Sequence, residues 1–236
     1  MPRPDTIRLM IIGFDADDTL WHNEDGFQAT HRGFESLLDG WATAEKVAAR
    51  LFAVEMRNMG RYGYGVKAFT LSMVEAAIDI SDGEIDTARL SEILELGRHL
   101  LDRPAAVIDG VTDALDQLAD HTLMIITKGD IYHQLARIES SGLSRRFWRT
   151  EVVAHKNPAT YRDLLATHAI PIEDFVMVGN SLPSDVLPVL EIGGRAVHVP
   201  YHVTWAHEDH HHDRPVQTIG SLSELPDLIT KWSIDR

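Results

Sequence analysis

The chain has 236 residues, 44% of them hydrophobic and 25% charged, a balance that belongs to a globular protein and excludes collagen-like, disordered and coiled-coil chains. Lys and Arg total 22 against 36 Asp and Glu, and the formal charge of −14 works against binding nucleic acid or docking on an anionic membrane. Cysteine is absent, which excludes disulfides and thiolate metal sites. A small anionic substrate remains compatible, provided a metal ion and a few cations reverse the field locally.

Met1 to Arg8 is polar and broken by Pro2 and Pro4. No signal-peptide pattern follows, so a cytoplasmic protein is expected. The run Leu9 to Phe14 is too short to span a membrane and meets Asp15, Asp17 and Asp18 at once. With no polar alternation, it reads as a strand buried on both faces of a parallel sheet. Four later runs read alike: Leu123 to Ile126, Glu151 to Ala154, Phe175 to Val178 and Ala196 to Val199.

Helical stripes separate them. Val111, Leu115 and Leu118 form one; Ile131, Leu135 and Ile138 another; Tyr161, Leu164, Leu165 and His168 a third. From Asp109 onward, helix and strand alternate, which predicts an α/β fold: a doubly wound parallel sheet with helices on both faces. Between the first strand and this regular half lies a segment far longer than one crossover helix needs. Its stripes are Val47, Leu51 and Val54; Phe69, Met73 and Ala76–Ala77; and Ile93, Leu96 and Leu100. Residues 23–105 are therefore expected to be an α-helical insert, with 1–22 and 106–236 forming the core domain.

Ligands of open parallel sheets bind at the carboxyl ends of the strands, where the strand order reverses. Asp15-Ala16-Asp17-Asp18-Thr19 is delivered there by the first strand. Such carboxylates either cap the next helix or surround a hard cation such as Mg²⁺ that offsets their repulsion. Thr127, Lys128 and Gly129 end the second strand, Lys156 precedes a proline-started helix after the third, and Gly179-Asn180-Ser181 with Asp185 follows the fourth. Each has an ordinary reading as a cap, turn or surface residue. Four such coincidences at one rim of one sheet favour a shared site.

This constellation resembles the haloacid dehalogenase superfamily of phosphohydrolases. Asp15-x-Asp17-x-Thr19 is similar to its first motif, Thr127 to its second, Lys156 to its third, and Gly179-Asn180-Ser181 with Asp185 to its fourth. The insert at 23–105 falls where that family carries a helical cap. The resemblance implies that Asp15 attacks phosphorus to form an aspartyl phosphate. It implies that Asp17 protonates the leaving oxygen and later deprotonates water. Thr127 would hold phosphoryl oxygens and Lys156 would neutralise charge. Mg²⁺ would take Asp15, the backbone carbonyl of Asp17, and Asn180 or Asp185. Relatives that displace halide lack an acid/base at the position of Asp17, so phosphoryl transfer is the expected chemistry. The expected function is a Mg²⁺-dependent phosphatase of a small phosphorylated metabolite. The alternatives are a phosphomutase, a catalytically silent binding module and, more remotely, a 2-haloacid dehalogenase.

The family usually has an acidic residue where Asn180 stands, which predicts weaker metal affinity here. Candidate substrate contacts are Thr19, Lys128, Arg61 and Tyr64. The last two belong to a glycine-broken stretch that also carries Arg57, Tyr62 and Lys67 and fits either a substrate loop or an ordinary helix–helix turn. Trp21 and His22 are expected to line the entrance to the insert. The run His207 to Asp213 is expected to be a solvated loop.

Overall fold

The computed structural model describes residues 9–203 and 214–234; the histidine run His207–Asp213 lies outside the described residues. Six strands form one parallel sheet: β1 (Ile11–Phe14), β2 (Thr122–Lys128), β3 (Arg149–Val153), β4 (Phe175–Gly179), β5 (Arg195–His198) and β6 (Gln217–Thr218). Their order is β3-β2-β1-β4-β5-β6, and every pairing is parallel. The order reverses between β1 and β4. Phe14 pairs with Ile125 on one side and Val178 on the other, so β1 is flanked throughout. The short edge strand β6 has no apolar run, which is why the hydrophobic pattern does not reveal it.

Alternate residues of the same strands feed two separate cores. Ile12, Phe14, Leu123, Ile125, Val176, Val178 and Val197 pack on one face; Met124, Ile126, Phe175, Met177 and Ala196 pack on the other. Period-two alternation is therefore present, but both halves of it are apolar. The first core is covered by α5 (Val111–Gln117) and α9 (Leu225–Ile234), and the second by α7 (Pro158–Thr167) and α8 (Leu187–Glu191). Gly13 is tightly enclosed in the middle of β1, where a Cβ would lie 3.0 Å from Ile126 and from the Phe175 ring.

Helix α6 (Ile131–Ser140) departs from expectation. Its apolar residues Ile131 and Leu135 are 55% and 49% exposed, whereas His133, Gln134, Arg137 and Ile138 are buried. The buried stripe is helical in spacing but polar in content. Arg137 tolerates that position because it meets the Asp17 carboxylate and the His22 carbonyl.

The chain divides into two compact units. Among the described residues, one comprises those up to His22, Ala105–Lys128 and those from Arg137 onward; the other comprises Asn23–Pro104 and Gly129–Ala136. The second unit contains α1 (Glu24–Leu37), α2 (Ala44–Tyr62), α3 (Val66–Ile80) and α4 (Thr87–Leu101). It has its own core, including Phe34, Val47, Leu51, Val54, Phe69, Met73, Ile93 and Leu100. Helix α1 escapes the stripe search because its buried face reads Glu24, Gly26, Thr30, Phe34. Gly26 and Gly33 let α1 approach Leu100 and Leu96 of α4 more closely than a side chain would permit. No helix among the described residues is long and apolar enough to cross a membrane.

Candidate active site

The loop after β1 is set by hydrogen bonds before any side chain acts. The Asp15 N–H donates to the Val178 carbonyl at 2.8 Å, extending the β1–β4 pairing to the point where the strand order reverses. The chain then turns sharply: Leu20 N–H returns to the Ala16 carbonyl at 2.8 Å, and Asp18 N–H to the Trp21 carbonyl at 2.8 Å. Asp18 adopts φ of 61°, a left-handed conformation that aspartate tolerates better than most residues. This turn holds the carboxylate of Asp15 at the sheet rim and brings Thr19 back beside it.

Thr19 links the ends of β1 and β4. Its hydroxyl accepts from Asn180 N–H at 3.0 Å and lies 3.2 Å from both Asp15 Oδ2 and Asn180 Oδ1. One hydroxyl proton cannot serve both acceptors fully. Thr19, expected to contact substrate, is thus engaged in positioning Asp15 and Asn180.

Lys156 completes the group. Asn157 accepts from Thr160 N–H at 2.9 Å and Pro158 follows, so α7 begins directly after Lys156 and fixes where its stem leaves the backbone. The side chain is buried; Nζ donates to Asp15 Oδ1 and, at 2.7 Å, to Asp185 Oδ1. Asp185 is fully buried, and its Oδ2 accepts from Ser181 N–H at 3.0 Å. It reaches back along β4 only because Gly179 has no side chain: a Cβ there would sit 2.2 Å from Asp185 Oδ2. A π-helical turn, Leu182–Val186, carries Asp185 into this position. Ser184, in the same turn, accepts from Lys128 Nζ at 2.9 Å, and its carbonyl accepts from Tyr161 Oη at 3.0 Å.

Two carboxylates therefore share one ammonium away from water. Burial pulls Lys156 down, but Asp15 and Asp185 outweigh it and hold the ammonium above the usual lysine range. Burial pushes Asp15 up to about 7, with Asp185 adding to the rise and Lys156 opposing it. The site is one positive charge short of ionising comfortably.

Asp17 faces different partners. Its Oδ1 accepts from Trp21 Nε1 at 2.8 Å and lies 3.3 Å from Arg137 Nε. Trp21 is completely buried and so lines no entrance; its indole instead braces Asp17. His22 Nδ1 is 2.6 Å from Tyr201 Oη. Thr127 is buried at the end of β2, in register with Val152 of β3. Arg61 and Tyr64 belong to the helical unit, Arg61 exposed and Tyr64 half-buried. In that same unit Arg57 pairs with Glu75 at 3.2 Å and Lys67 with Asp130 at 2.9 Å.

Hydrogen bonds thus join Asp15, Thr19, Lys156, Asn180 and Asp185 directly. Arg137 and Ser184 carry no motif signal in the sequence, and the bracing of Asp17 by Trp21 is not legible there either. A signal for Arg137 does exist: with His133 and Gln134 it forms a helically spaced polar stripe, hidden by attention to apolar letters alone.

The oxygens gathered at the Thr19 hydroxyl, Asp15 Oδ2 and Asn180 Oδ1 at 3.2 Å each, are the candidate donors to a cation. An oxygen set short of protons suits a hard divalent ion. Among the described residues no cluster of three or more His, Asp or Glu side chains is arranged to hold a metal. Chemically, the group offers a buried carboxylate, a fixed ammonium beside it and a second carboxylate two residues on.

Comparison with known proteins agrees with the fold. Residues 9–193 match the family model described as haloacid dehalogenase-like hydrolase. A haloacid dehalogenase-like family hydrolase from Xanthomonas campestris is 40% identical, with 98% of this chain and 96% of that one covered and a TM-score of 0.87. More distant structures share the fold. A 2-haloacid dehalogenase from Pseudomonas syringae is 20% identical over 95% of this chain and 100% of its own, with TM-score 0.64. The HAD-hydrolase YfnB from Bacillus subtilis, described as bound to magnesium, is 18% identical over 94% and 99%, with TM-score 0.67. No curated protein gives a match. On its family model, its 40% identical relative and its sheet order, the chain belongs to the haloacid dehalogenase-like hydrolases.

Proposed function

We propose that this hydrolase is a Mg²⁺-dependent phosphatase acting on a small phosphate monoester through an aspartyl phosphate. The observation that carries this reading is Asp15 held against a buried, charged Lys156, with a second carboxylate, Asp17, two residues on. Displacement of halide would not need that second carboxylate, because chloride leaves without a proton. Displacement of an alcohol does. The magnesium described for YfnB lends support to the choice of ion.

In this mechanism Asp15 attacks phosphorus in line with the leaving oxygen, the P–O bond breaks, and protonated Asp17 donates to the departing alkoxide. Asp17 then takes a proton from the water that attacks the aspartyl phosphate, releasing inorganic phosphate and restoring Asp15. Lys156 and Thr127 hold the phosphoryl oxygens as charge develops. Mg²⁺, when bound, supplies the positive charge that the two carboxylates and the phosphate require. Asp185 acts through Lys156, since its oxygens are taken by that ammonium and by Ser181 N–H; Asp15, the Asp17 backbone carbonyl and Asn180 would hold the ion.

Phosphate release from a panel of monoesters, with and without Mg²⁺ and beside Asp15→Asn, tests the reading. The expectation is Mg²⁺-dependent turnover that falls by about 10⁴-fold or more in the variant. Equal behaviour of the two proteins on every substrate overturns it. Chloride release from 2-haloacids without phosphate release would assign a dehalogenase, and isomerised phosphate esters without free phosphate a mutase.

A further inference from the structure

Arg137 is nearly all buried, yet its guanidinium cannot shed its charge. Three contacts surround it. Nε is 3.3 Å from Asp17 Oδ1; Nη2 donates to the His22 carbonyl at 3.0 Å; and the guanidinium carbon is 6.0 Å from the centre of the Trp21 ring. Nε makes no hydrogen bond in this arrangement, so it acts on Asp17 by charge rather than by a directed donor. The Trp21 indole supplies the directed one, at 2.8 Å to the same Oδ1. Around these residues, the chain at Leu20 to His22 pairs with Ala106 to Ile108: His22 N–H donates to Ala106 and Ile108 N–H to Leu20, both at 3.0 Å.

Building a buried arginine against the loop is costly unless its charge is used. The carboxylate it meets is Asp17, the group assigned the proton transfers, and not Asp15 or Asp185, which share Lys156. We infer that Arg137, with the Trp21 indole, is a positioning residue for Asp17, fixing its carboxylate relative to the leaving oxygen and tying it to the backbone at His22. This inference rests on the phosphatase reading. Arg137 acts through the carboxylate it holds.

Leaving-group dependence separates positioning from general structural damage. Departure of an alkoxide needs the proton from Asp17, whereas an acidic phenol leaves with little assistance. With Mg²⁺ present, kcat is measured on an alkyl phosphate and on a nitrophenyl phosphate for wild type, Arg137→Met, Trp21→Phe, Asp17→Asn and Asp17→Asn/Arg137→Met. Arg137→Met should lower kcat on the alkyl ester by about 10–100-fold and on the aryl ester by less than about threefold. Trp21→Phe, which keeps the ring and removes the donor, should show the same bias to a smaller degree. In the Asp17→Asn background, Arg137→Met should cost nothing further. Equal losses on both esters, or additive losses in the double variant, overturn the inference. Should Arg137→Met not fold, Arg137→Lys and Trp21→Phe decide it by the same ratio of alkyl to aryl rates. Asp15→Asn run alongside keeps the two claims apart. If it matches wild type, the phosphatase reading fails and takes this inference with it; if it is inactive while Arg137→Met shows no bias, only the inference fails.

Discussion

The two units bury polar groups in different ways. In the sheet unit the buried charges are joined across elements distant in sequence: Asp15 after β1, Lys156 before α7, Asp185 after β4 and Arg137 on α6. In the helical unit several buried polar groups are satisfied one turn away, as Ser72 Oγ bonds the Ala68 carbonyl and Thr30 Oγ1 the Gly26 carbonyl, both at 2.9 Å. Such a bond satisfies a buried hydroxyl within its own helix and joins nothing distant. Long-range pairing of charges holds side chains in an arrangement that no single element prefers, which is what a reaction site needs. The helical unit has one charge conflict of its own: burial pushes Glu55 up to about 7, and the charge of Glu24 adds to the rise.

The contrast can be broken most forcefully at Lys156. Lys156→Met leaves Asp15 and Asp185 together without their shared cation, and should cost about 3–5 kcal/mol in urea unfolding at pH 8. Turnover should fall on the order of 10²–10³-fold. An unchanged urea midpoint would mean that the sheet unit's charges are no more demanding than surface pairs. A smaller change tests the geometry alone. Gly179→Ala places a methyl group where Asp185 Oδ2 now sits, and should cost about 1–3 kcal/mol. It should also lower turnover roughly tenfold by displacing Lys156, without removing any charge. Wild-type rates in this variant would show that Asp185 does not position the ammonium.

The mildest test lies in the helical unit. A carboxyl whose pKa is raised on folding contributes stability below its ordinary value of 4.5 that is lost as pH climbs through about 7. Glu55→Gln should therefore stabilise the protein by about 1–2 kcal/mol at pH 8, less than the full shift because the side chain is partly exposed. At pH 4 it should change almost nothing. Thermal unfolding at both values reads the difference, and equal effects at pH 4 and pH 8 would contradict the assigned shift.

How much was legible in the sequence depended on what burial had to match. Five strands stand out because central parallel strands are apolar on both faces, and two residues at an edge are not. Three helices of the second unit show ordinary apolar stripes, but α1 buries Glu24, Gly26 and Thr30 beside Phe34, so its apolar stripe is interrupted. Asp15, Thr19, Lys156, Asn180 and Asp185 were legible because each ends a strand or begins the helix after one. The role of Thr19 was not, because a hydroxyl shared between Asp15 and Asn180 depends on how closely β1 and β4 approach.

From its letters alone, the chain fixes its alternation of strands and helices, and hence that four chemically distinct groups meet at one rim. Those are consequences of periodicity and of the handedness of parallel crossovers, which act locally along the chain. Packing alone decided which carboxylate each cation would meet. Lys156 falls to Asp15 and Asp185, and Arg137 to Asp17, because Gly179 leaves room for one approach and the buried face of α6 provides the other. Charge pairing acts through space between residues more than a hundred positions apart in sequence, so only the folded chain determines it.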